Sequence, residues 1–93
     1  MTKRELIDAV AYKSHTAKVD VKAVIDTTLA VIRYELINGG EVNLIGFGKF
    51  SVKDRAARKG RNPRTGEVIN LPPNKRVHFK PGKSFKQAVN HVD

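Results

Sequence analysis

A chain of 93 residues can form one small domain, and because it contains no cysteine, disulfide bridges and thiolate metal sites are excluded. Its apolar runs are far shorter than the roughly 20 residues that cross a bilayer, and residues 1–5 lead into an amphipathic pattern unlike a secretion signal. The net charge of +9 favours a polyanionic partner, so we expect a soluble intracellular protein with no membrane partner.

Positive charge is concentrated in the second half of the chain. Residues 1–48 carry six basic and six acidic side chains, which cancel, whereas residues 49–93 carry twelve basic side chains against three acidic ones. A uniform excess would indicate only solubility. This polarised excess predicts a surface that binds phosphate groups.

The start of the chain predicts a helix over residues 3–14. Thr2 and Glu5 have the spacing of a capping box, and the apolar residues that follow recur at helical spacing. A short polar break over residues 14–17 ends this helix.

A longer helix is predicted over residues 18–38, with Thr16 as its N-cap because Ala17 caps poorly. Its apolar residues cover more of the helix surface than one stripe requires, which indicates burial on two sides. About 70 residues remain outside the basic segment described below, and a core of that size is marginal on its own. We therefore expect this helix to pack against a second subunit.

Beyond residue 40 the apolar period changes from 3.6 to 2, which predicts strands. Residues 41–44 and 50–53 alternate on either side of a tight turn at Gly46–Gly48, so we expect a β-hairpin. Val77 and Phe79 predict a last core strand. The four phenylalanines are expected in the core: Phe47, Phe50, Phe79 and Phe85.

A short C-terminal helix is predicted from the spacing of Phe85, Ala88, Val89 and Val92. It begins near Pro81-Gly82, or it is capped by Ser84; the sequence leaves both starts open.

Residues 55–74, called the arm here, carry the strongest functional signal. Five Arg or Lys residues lie between positions 55 and 64, with no acidic residue among them. Such a run is often a solvated face or a disordered tail. Here strand patterns lie on both sides of it, and it ends in a turn at Asn62–Gly66, so we expect a two-stranded arm of a width that suits a DNA groove.

Pro63 lies at the expected tip of the arm and has two interpretations. It is either an ordinary turn former or an apolar wedge that inserts between base pairs and kinks the duplex. Lysine and arginine also stand where helix starts favour acidic residues: Lys3 and Arg4 in the first helix, Lys83 and Lys86 in the last. These side chains are either inert or placed to bind phosphate.

Other functions fit the sequence less well. The three histidines are far apart and have no metal-ligand spacing, and there is no nucleotide-binding loop or nucleophile elbow, so we expect no enzyme, no metal site and no cofactor. A helix-turn-helix regulator would need a basic recognition helix, but the second helix is apolar and carries Asp20, Asp26 and Glu35. An RNA-binding module remains an alternative, because a basic arm also suits structured RNA.

Three segments carry a resemblance to a known family: Gly46–Phe50, Arg55–Arg58 and Gly60–Gly66. Together they resemble the signature of the bacterial HU/IHF histone-like proteins, and the likeness extends over the whole chain. The helical half is more similar to HU, whereas Phe79–Lys83 is more similar to the IHF branch. An IHF-like factor that prefers particular sites is therefore the alternative to binding without sequence preference.

The resemblance implies an α+β fold in an intertwined dimer. A helical base would support a β-sheet saddle with a protruding two-stranded ribbon arm, followed by a short C-terminal helix. We expect one domain over residues 1–93, with a dimerisation part at 1–40 and a DNA-binding part at 41–93. A homodimer and a heterodimer with a paralogue both fit, as do a bacterial and a viral source.

By this resemblance, the protein binds and bends double-stranded DNA through the minor groove and compacts the chromosome as a cytoplasmic, nucleoid-associated protein. Pro63 would intercalate at the arm tip. The candidate DNA-binding residues are Lys3, Lys53, Arg55, Arg58, Lys59, Arg61, Asn62, Pro63, Arg64, Thr65, Lys75, Arg76, Lys80, Lys83 and Lys86.

Overall fold

The structure is a computed structural model that describes residues 1–91. Within them lie three helices, α1 (Lys3–Ser14), α2 (Lys18–Ile37) and α3 (Lys83–Val89). The strands are β1 (Val42–Leu44), β2 (Gly48–Arg55), β3 (Arg58–Arg61), β4 (Val68–Leu71) and β5 (Asn74–Pro81). The chain divides into two compact units between Glu35 and Leu36. The expected α+β class is confirmed.

The capping box at the start of α1 forms as predicted. The Thr2 hydroxyl accepts a hydrogen bond from the Glu5 amide at 3.3 Å, and the Glu5 carboxylate accepts one from the Thr2 amide at 3.3 Å. These bonds satisfy two of the amide groups that lack partners at a helix start. The helix ends at His15, which adopts the left-handed conformation with φ of 54°.

The start of α2 differs from the prediction. The Thr16 hydroxyl donates to the Ser14 carbonyl at 3.1 Å, so it does not cap the helix. The Ala17 carbonyl instead accepts the first bonds of α2, from the amides of Asp20 and Val21. The expectation of Thr16 as N-cap was wrong because its hydroxyl is used by the preceding turn.

The core of the first unit is small and contains Ile7, Ala11 and Val21, with Ile25 packed against it. Most other apolar side chains of α2 stay uncovered, among them Val24 and Val31, which are 64% and 62% exposed. The wide apolar face predicted for this helix is therefore present, and residues 1–91 leave most of it exposed.

Ion pairs connect α1 with α2. The Asp26 carboxylate accepts from Lys3 at 2.5 Å and from Lys22 at 3.0 Å, and Lys18 pairs with Asp8 at 3.2 Å. The hydrogen bond from Lys3, and then that from Lys22, lowers the pKa of the Asp26 carboxyl below its usual range. Half of the basic side chains of this unit, namely Lys3, Lys18 and Lys22, thus pair with carboxylates of the same unit.

The second unit contains a three-stranded antiparallel sheet in the order β1-β2-β5. A turn over residues 45–47 joins β1 to β2, with Gly46 at φ of +84°, a conformation that glycine adopts without strain. The predicted hairpin is confirmed.

The four phenylalanines expected in the core lie together beside this sheet, but Phe47 is 47% exposed, so the expectation was wrong for that residue. The ring centroids of Phe50 and Phe79 are 4.8 Å apart, and those of Phe47 and Phe85 are 5.1 Å apart. Val77 was expected in the core, but it is 70% exposed, because no element within the described residues covers its end of the sheet. The apolar pattern of a strand predicts which of its faces is buried, but it does not identify the polypeptide chain that buries that face.

The arm contains a separate two-stranded antiparallel ribbon, β3-β4. It is separated from the sheet at Ala56-Ala57 on one side and at Pro72-Pro73 on the other. Proline has no amide hydrogen to donate to a ladder, which explains the second break. The predicted two-stranded arm is confirmed.

Of the two starts considered for the last helix, the structure adopts Gly82 as N-cap, with no side-chain capping bond. Gly82 lies close to the hairpin turn, and its amide donates to the Phe47 carbonyl at 2.8 Å. Val92, which was expected to continue the helix pattern, lies outside the described residues.

Gly48→Ala is expected to destabilise the protein by about 1–3 kcal/mol, in the range of overpacked cores. A Cβ at this position would lie 2.6 Å from the Phe79 ring and 2.8 Å from the Lys80 carbonyl oxygen. Gly60→Ala is the control, because its Cβ would meet only the end of the Leu71 side chain, at 3.0 Å, which can move. Urea unfolding at one protein concentration measures both changes, and equal losses would contradict the prediction.

Asp26→Asn is expected to lower the free energy of unfolding at neutral pH, and this deficit is expected to shrink in acid. A carboxyl with a lowered pKa in the folded state stabilises the fold above its unfolded pKa, and this stabilisation is lost as the pH falls through the folded pKa. Urea unfolding at a series of pH values measures the difference, with Glu35→Gln, an exposed carboxylate of the same helix, as control. A deficit that persists unchanged at low pH would rule out this ion-pair account.

Candidate nucleic-acid interface

The strand register sorts the three-stranded sheet into two chemically different faces. Successive side chains of a strand point to opposite faces, and paired residues share a face. The pairs Phe50–Phe79 and Val52–Val77 lie on one face, which is apolar. The other, called the basic face here, contains Lys49, Ser51, Lys53 and Arg55 of β2 and Asn74, Arg76, His78 and Lys80 of β5.

The basic face brings together four of the predicted DNA-binding residues. Lys53 pairs in register with Arg76, while Arg55 and Lys80 lie further along the same face on β2 and β5. Its eight residues on β2 and β5 include no carboxylate. Lys75 is not part of this face, because it pairs with Asp54 on the apolar side.

Two residues of the basic face were missed by the sequence reasoning. Lys49 was considered only as part of a motif, and His78 only as a possible metal ligand. Counting alternate positions back from Lys53 and Arg76 would have placed both on this face. Lys49 also pairs with Glu41 at 3.1 Å, so its charge is partly neutralised within the protein.

The basic face meets the arm at Arg55, which is half-buried at the end of β2. Burial lowers the pKa of the Arg55 guanidinium, and the positive charges of Arg58 and Arg76 lower it further. The lowered pKa of Arg55 indicates that these three guanidinium groups repel one another. Such a cluster is stabilised when an anion reaches it.

The ribbon carries positive charge on both of its faces. The pairs Arg58–Leu71 and Gly60–Ile69 lie on one face, while Lys59–Asn70 and Arg61–Val68 lie on the other. Gly60 leaves room for the Leu71 side chain, whose Cδ1 would be 3.0 Å from a Cβ at position 60. The predicted residues Arg58, Lys59 and Arg61 are therefore held in a regular ladder, with Arg58 on one face and Lys59 and Arg61 on the other.

Hydrogen bonds define the turn at the arm tip. The Asn62 carbonyl accepts from the Gly66 amide at 2.8 Å, and the Asn62 side-chain oxygen accepts from the Arg64 amide at 2.9 Å. The Thr65 hydroxyl accepts from the Glu67 amide at 3.3 Å. Asn62 and Thr65 were predicted as DNA-binding residues; the structure gives their oxygens a role in shaping the turn.

This turn holds Pro63 at an exposed position. Proline has a fixed φ and no amide hydrogen, so it fits the start of a turn. Arg64 follows it and is also exposed. The tip therefore presents a rigid apolar ring next to a guanidinium group.

The remaining candidates lie at helix starts. Lys3 is in the first turn of α1, where the Asp26 carboxylate holds it, so a phosphate there would have to compete with that ion pair. Lys83 is the first residue of α3, and Lys86 lies one turn later; both are exposed.

No helix within residues 1–91 has the length and apolar content to span a bilayer. Across the same residues, histidine and carboxylate side chains do not gather into a group that could hold a metal ion.

Comparison with known proteins agrees with this surface chemistry. Residues 1–90 match the family described as bacterial DNA-binding protein. DNA-binding protein HU 1 of Bacillus subtilis is 51% identical over 89 residues, which cover 96% of this chain and 97% of that protein. DNA-binding protein HU of Thermotoga maritima is 49% identical over 89 residues, which cover 96% of this chain and 99% of that protein.

Among solved structures, an Anabaena HU–DNA cocrystal structure matches with a TM-score of 0.89 and 40% identity, covering 96% of this chain and 97% of that one. The fold, the basic surface and these relatives lead to one conclusion: the chain belongs to the HU/IHF family of bacterial DNA-binding proteins.

Proposed function

We propose that this protein binds duplex DNA through the minor groove, largely without sequence preference, and bends it as a histone-like architectural protein. The observation that carries the proposal is the distribution of cations over the basic face and both faces of the ribbon, which meet at Arg55. The eight paired positions of that face and the strands β3 and β4 contain no carboxylate. A surface of this kind suits a polyanion with regularly spaced charges.

Phosphate neutralisation supplies most of the affinity. Each cation that contacts a phosphate releases counterions from the DNA, so binding weakens steeply as salt is added. The residues proposed for this role are Lys3, Lys53, Arg55, Arg58, Lys59, Arg61, Arg64, Lys75, Arg76, Lys80, Lys83 and Lys86, with Asn62 and Thr65 supporting the tip.

The arm reads the shape of the groove. A narrow minor groove is strongly negative and attracts arginine, which the ribbon presents on both faces. Pro63 at the tip enters a base step as an apolar wedge. Unstacking costs a few kcal/mol for each step, which the contacts made along a bent duplex offset.

We propose that the active form is a homodimer, with residues 1–93 of each copy forming one domain. Apolar side chains that the single chain leaves open include Val19 at 74%, Ile45 at 96% and Val77 at 70% exposure. Burial of apolar surface contributes about 25 cal/mol of stabilisation for each Å². Covering these side chains with a second copy would therefore stabilise a dimer. Light scattering at several protein concentrations tests this, and a stable monomer would contradict it.

A heterodimer with a paralogue would use the same apolar surfaces. Native mass spectrometry of the protein from its own cells distinguishes the homodimer from the heterodimer.

We further propose a cytoplasmic, nucleoid-associated location and no catalytic activity. Fluorescence microscopy of the tagged protein, with and without arm substitutions, tests the location.

Electrophoretic mobility shift of intact, nicked and gapped duplexes over a salt series tests the function. Sequence-independent binding with a preference for nicks is expected. One strongly preferred site would instead favour an IHF-like factor, and tighter binding to structured RNA would favour an RNA-binding module.

Pro63→Ala is expected to reduce the bend angle of a short duplex more than it reduces affinity, because it removes the wedge and keeps the cations. End-to-end fluorescence energy transfer measures the angle. Pro72→Ala is the matched control, since this proline lies at the base of the arm. An unchanged angle in Pro63→Ala would eliminate the wedge.

Replacing Arg58 and Arg61 with alanine is expected to flatten the plot of log affinity against log salt by about 0.9 for each lost phosphate contact. The two side chains lie on opposite faces of the ribbon, so single variants show which face meets the phosphates. Arg33→Ala, an exposed arginine of α2, is the control. A fall in affinity with an unchanged slope would show that neither arginine contacts phosphate.

A further inference from the structure

We propose that His78 is a proton-dependent phosphate contact at the centre of the basic face, so that the affinity of this protein for DNA rises as the pH falls. The inference rests on the proposed DNA binding and extends it to a residue outside the cations assigned above.

The register fixes the position of His78. It pairs with Ser51 across β2–β5, and it shares the basic face with Arg76 and Lys80 on its own strand. The side chain is half-buried, which leaves part of the ring accessible. Its cross-strand partner, Ser51, has a short side chain.

The charged groups around His78 are of one sign. On β2, Lys49 and Lys53 lie diagonally across from it, and on β5 its nearest neighbours on this face are Arg76 and Lys80. Asn43 of β1, which pairs with Lys49, adds a neutral group.

Nearby acids compensate this charge only in part, at Lys49. Glu41 is bound to Lys49, and Asp54 lies on the apolar face. Across the paired residues of the basic face, the protein supplies no carboxylate to hold a protonated imidazole. A phosphate group bound to the face would supply the missing negative charge.

Linkage then sets the sign of the pH effect. A phosphate beside the ring favours its protonated form, so the complex takes up protons relative to the free protein. Uptake of protons on binding makes affinity rise as the pH falls, over the range in which histidine titrates.

The other histidines occupy different surroundings. His15 ends α1 in the left-handed conformation, in the first unit, and His91 follows α3. Neither belongs to the basic face, so both serve as internal controls. Asparagine tolerates the left-handed conformation, which makes His15→Asn a conservative change.

Fluorescence anisotropy with a short labelled duplex, from about pH 8 to about pH 5.5 at constant ionic strength, tests the proposal. The wild-type affinity is expected to rise about three- to tenfold over this range. His78→Gln is expected to show little pH response. His78→Lys is expected to bind tightly at every pH, because it carries a permanent cation.

The salt dependence gives a second readout. For each His78 that contacts a phosphate, the slope of log affinity against log salt should be steeper by about 0.9 at the low pH than at the high pH, in wild type but not in His78→Gln. The His15→Asn, His91→Gln double variant should keep the full wild-type response.

Two results would overturn the inference. One is a pH response that is retained in His78→Gln. The other is a wild-type protein that binds DNA at high pH with an affinity that stays constant down to low pH. Loss of DNA binding at every pH would overturn the proposed function as well, so the two failures are distinguishable. Circular dichroism shows whether His78→Gln folds. If it does not, calorimetry of DNA binding by wild type and His78→Lys, in two buffers of different ionisation enthalpy, measures the proton uptake instead. Proton uptake in wild type alone supports the contact, and its absence from wild type refutes it.

Discussion

Repulsion between cations that lack acidic neighbours is the constraint on which the second unit depends. The positive charges of Arg58 and Arg76 act on Arg55, and within residues 1–91 no carboxylate contributes to the shift of its pKa. The first unit shows the opposite arrangement, since Asp26 holds both Lys3 and Lys22. Where charge is matched internally it stabilises the fold; where it is unmatched it destabilises the free protein and makes a polyanion the stabilising partner. When such a surface binds DNA, counterions are released from the phosphates, so its affinity for DNA is sensitive to salt.

Because side chains alternate in direction along β2 and β5, one face of the sheet is apolar and the other is basic. The pairs Val52–Val77 and Phe50–Phe79 direct apolar groups to one side, while Lys53–Arg76 direct cations to the other. A one-residue slip in register would exchange the two faces, so the aromatic contacts of Phe79 also fix where the cations point. Gly48 contributes to this register, because the Phe79 ring occupies the space that a side chain there would fill. Apolar packing thus determines the position of the charges.

Local signals in the sequence predicted much of this fold. The capping box at Thr2, the hairpin around Gly46 and the two-stranded arm all depend on short-range chemistry, and all are present. The errors arose where a choice depended on a neighbour distant in sequence or on competition for one hydroxyl. Thr16 was expected to cap α2, but its hydroxyl bonds to Ser14. Alternation along each strand groups Lys49 with Lys53 and His78 with Arg76. Only the register of β2 against β5, whose paired residues lie 19 to 33 positions apart in sequence, joins these groups on one face and separates Lys75 from them.

The two breaks at the root of the arm would allow the proposed Pro63 wedge to act on DNA without disturbing the sheet. At Ala56-Ala57 and Pro72-Pro73 the ladder is interrupted, so a change in the direction of the ribbon there breaks no strand–strand hydrogen bond. Within the ribbon, by contrast, four residue pairs and the bonded turn around Asn62 hold Pro63 and the arginines in fixed relation to one another. A wedge transmits force only if its support does not deform, and it reaches different grooves only if its root can turn. The division of stiffness between the tip and the root of this arm meets both requirements, and it follows from where the sequence places proline, alanine and asparagine.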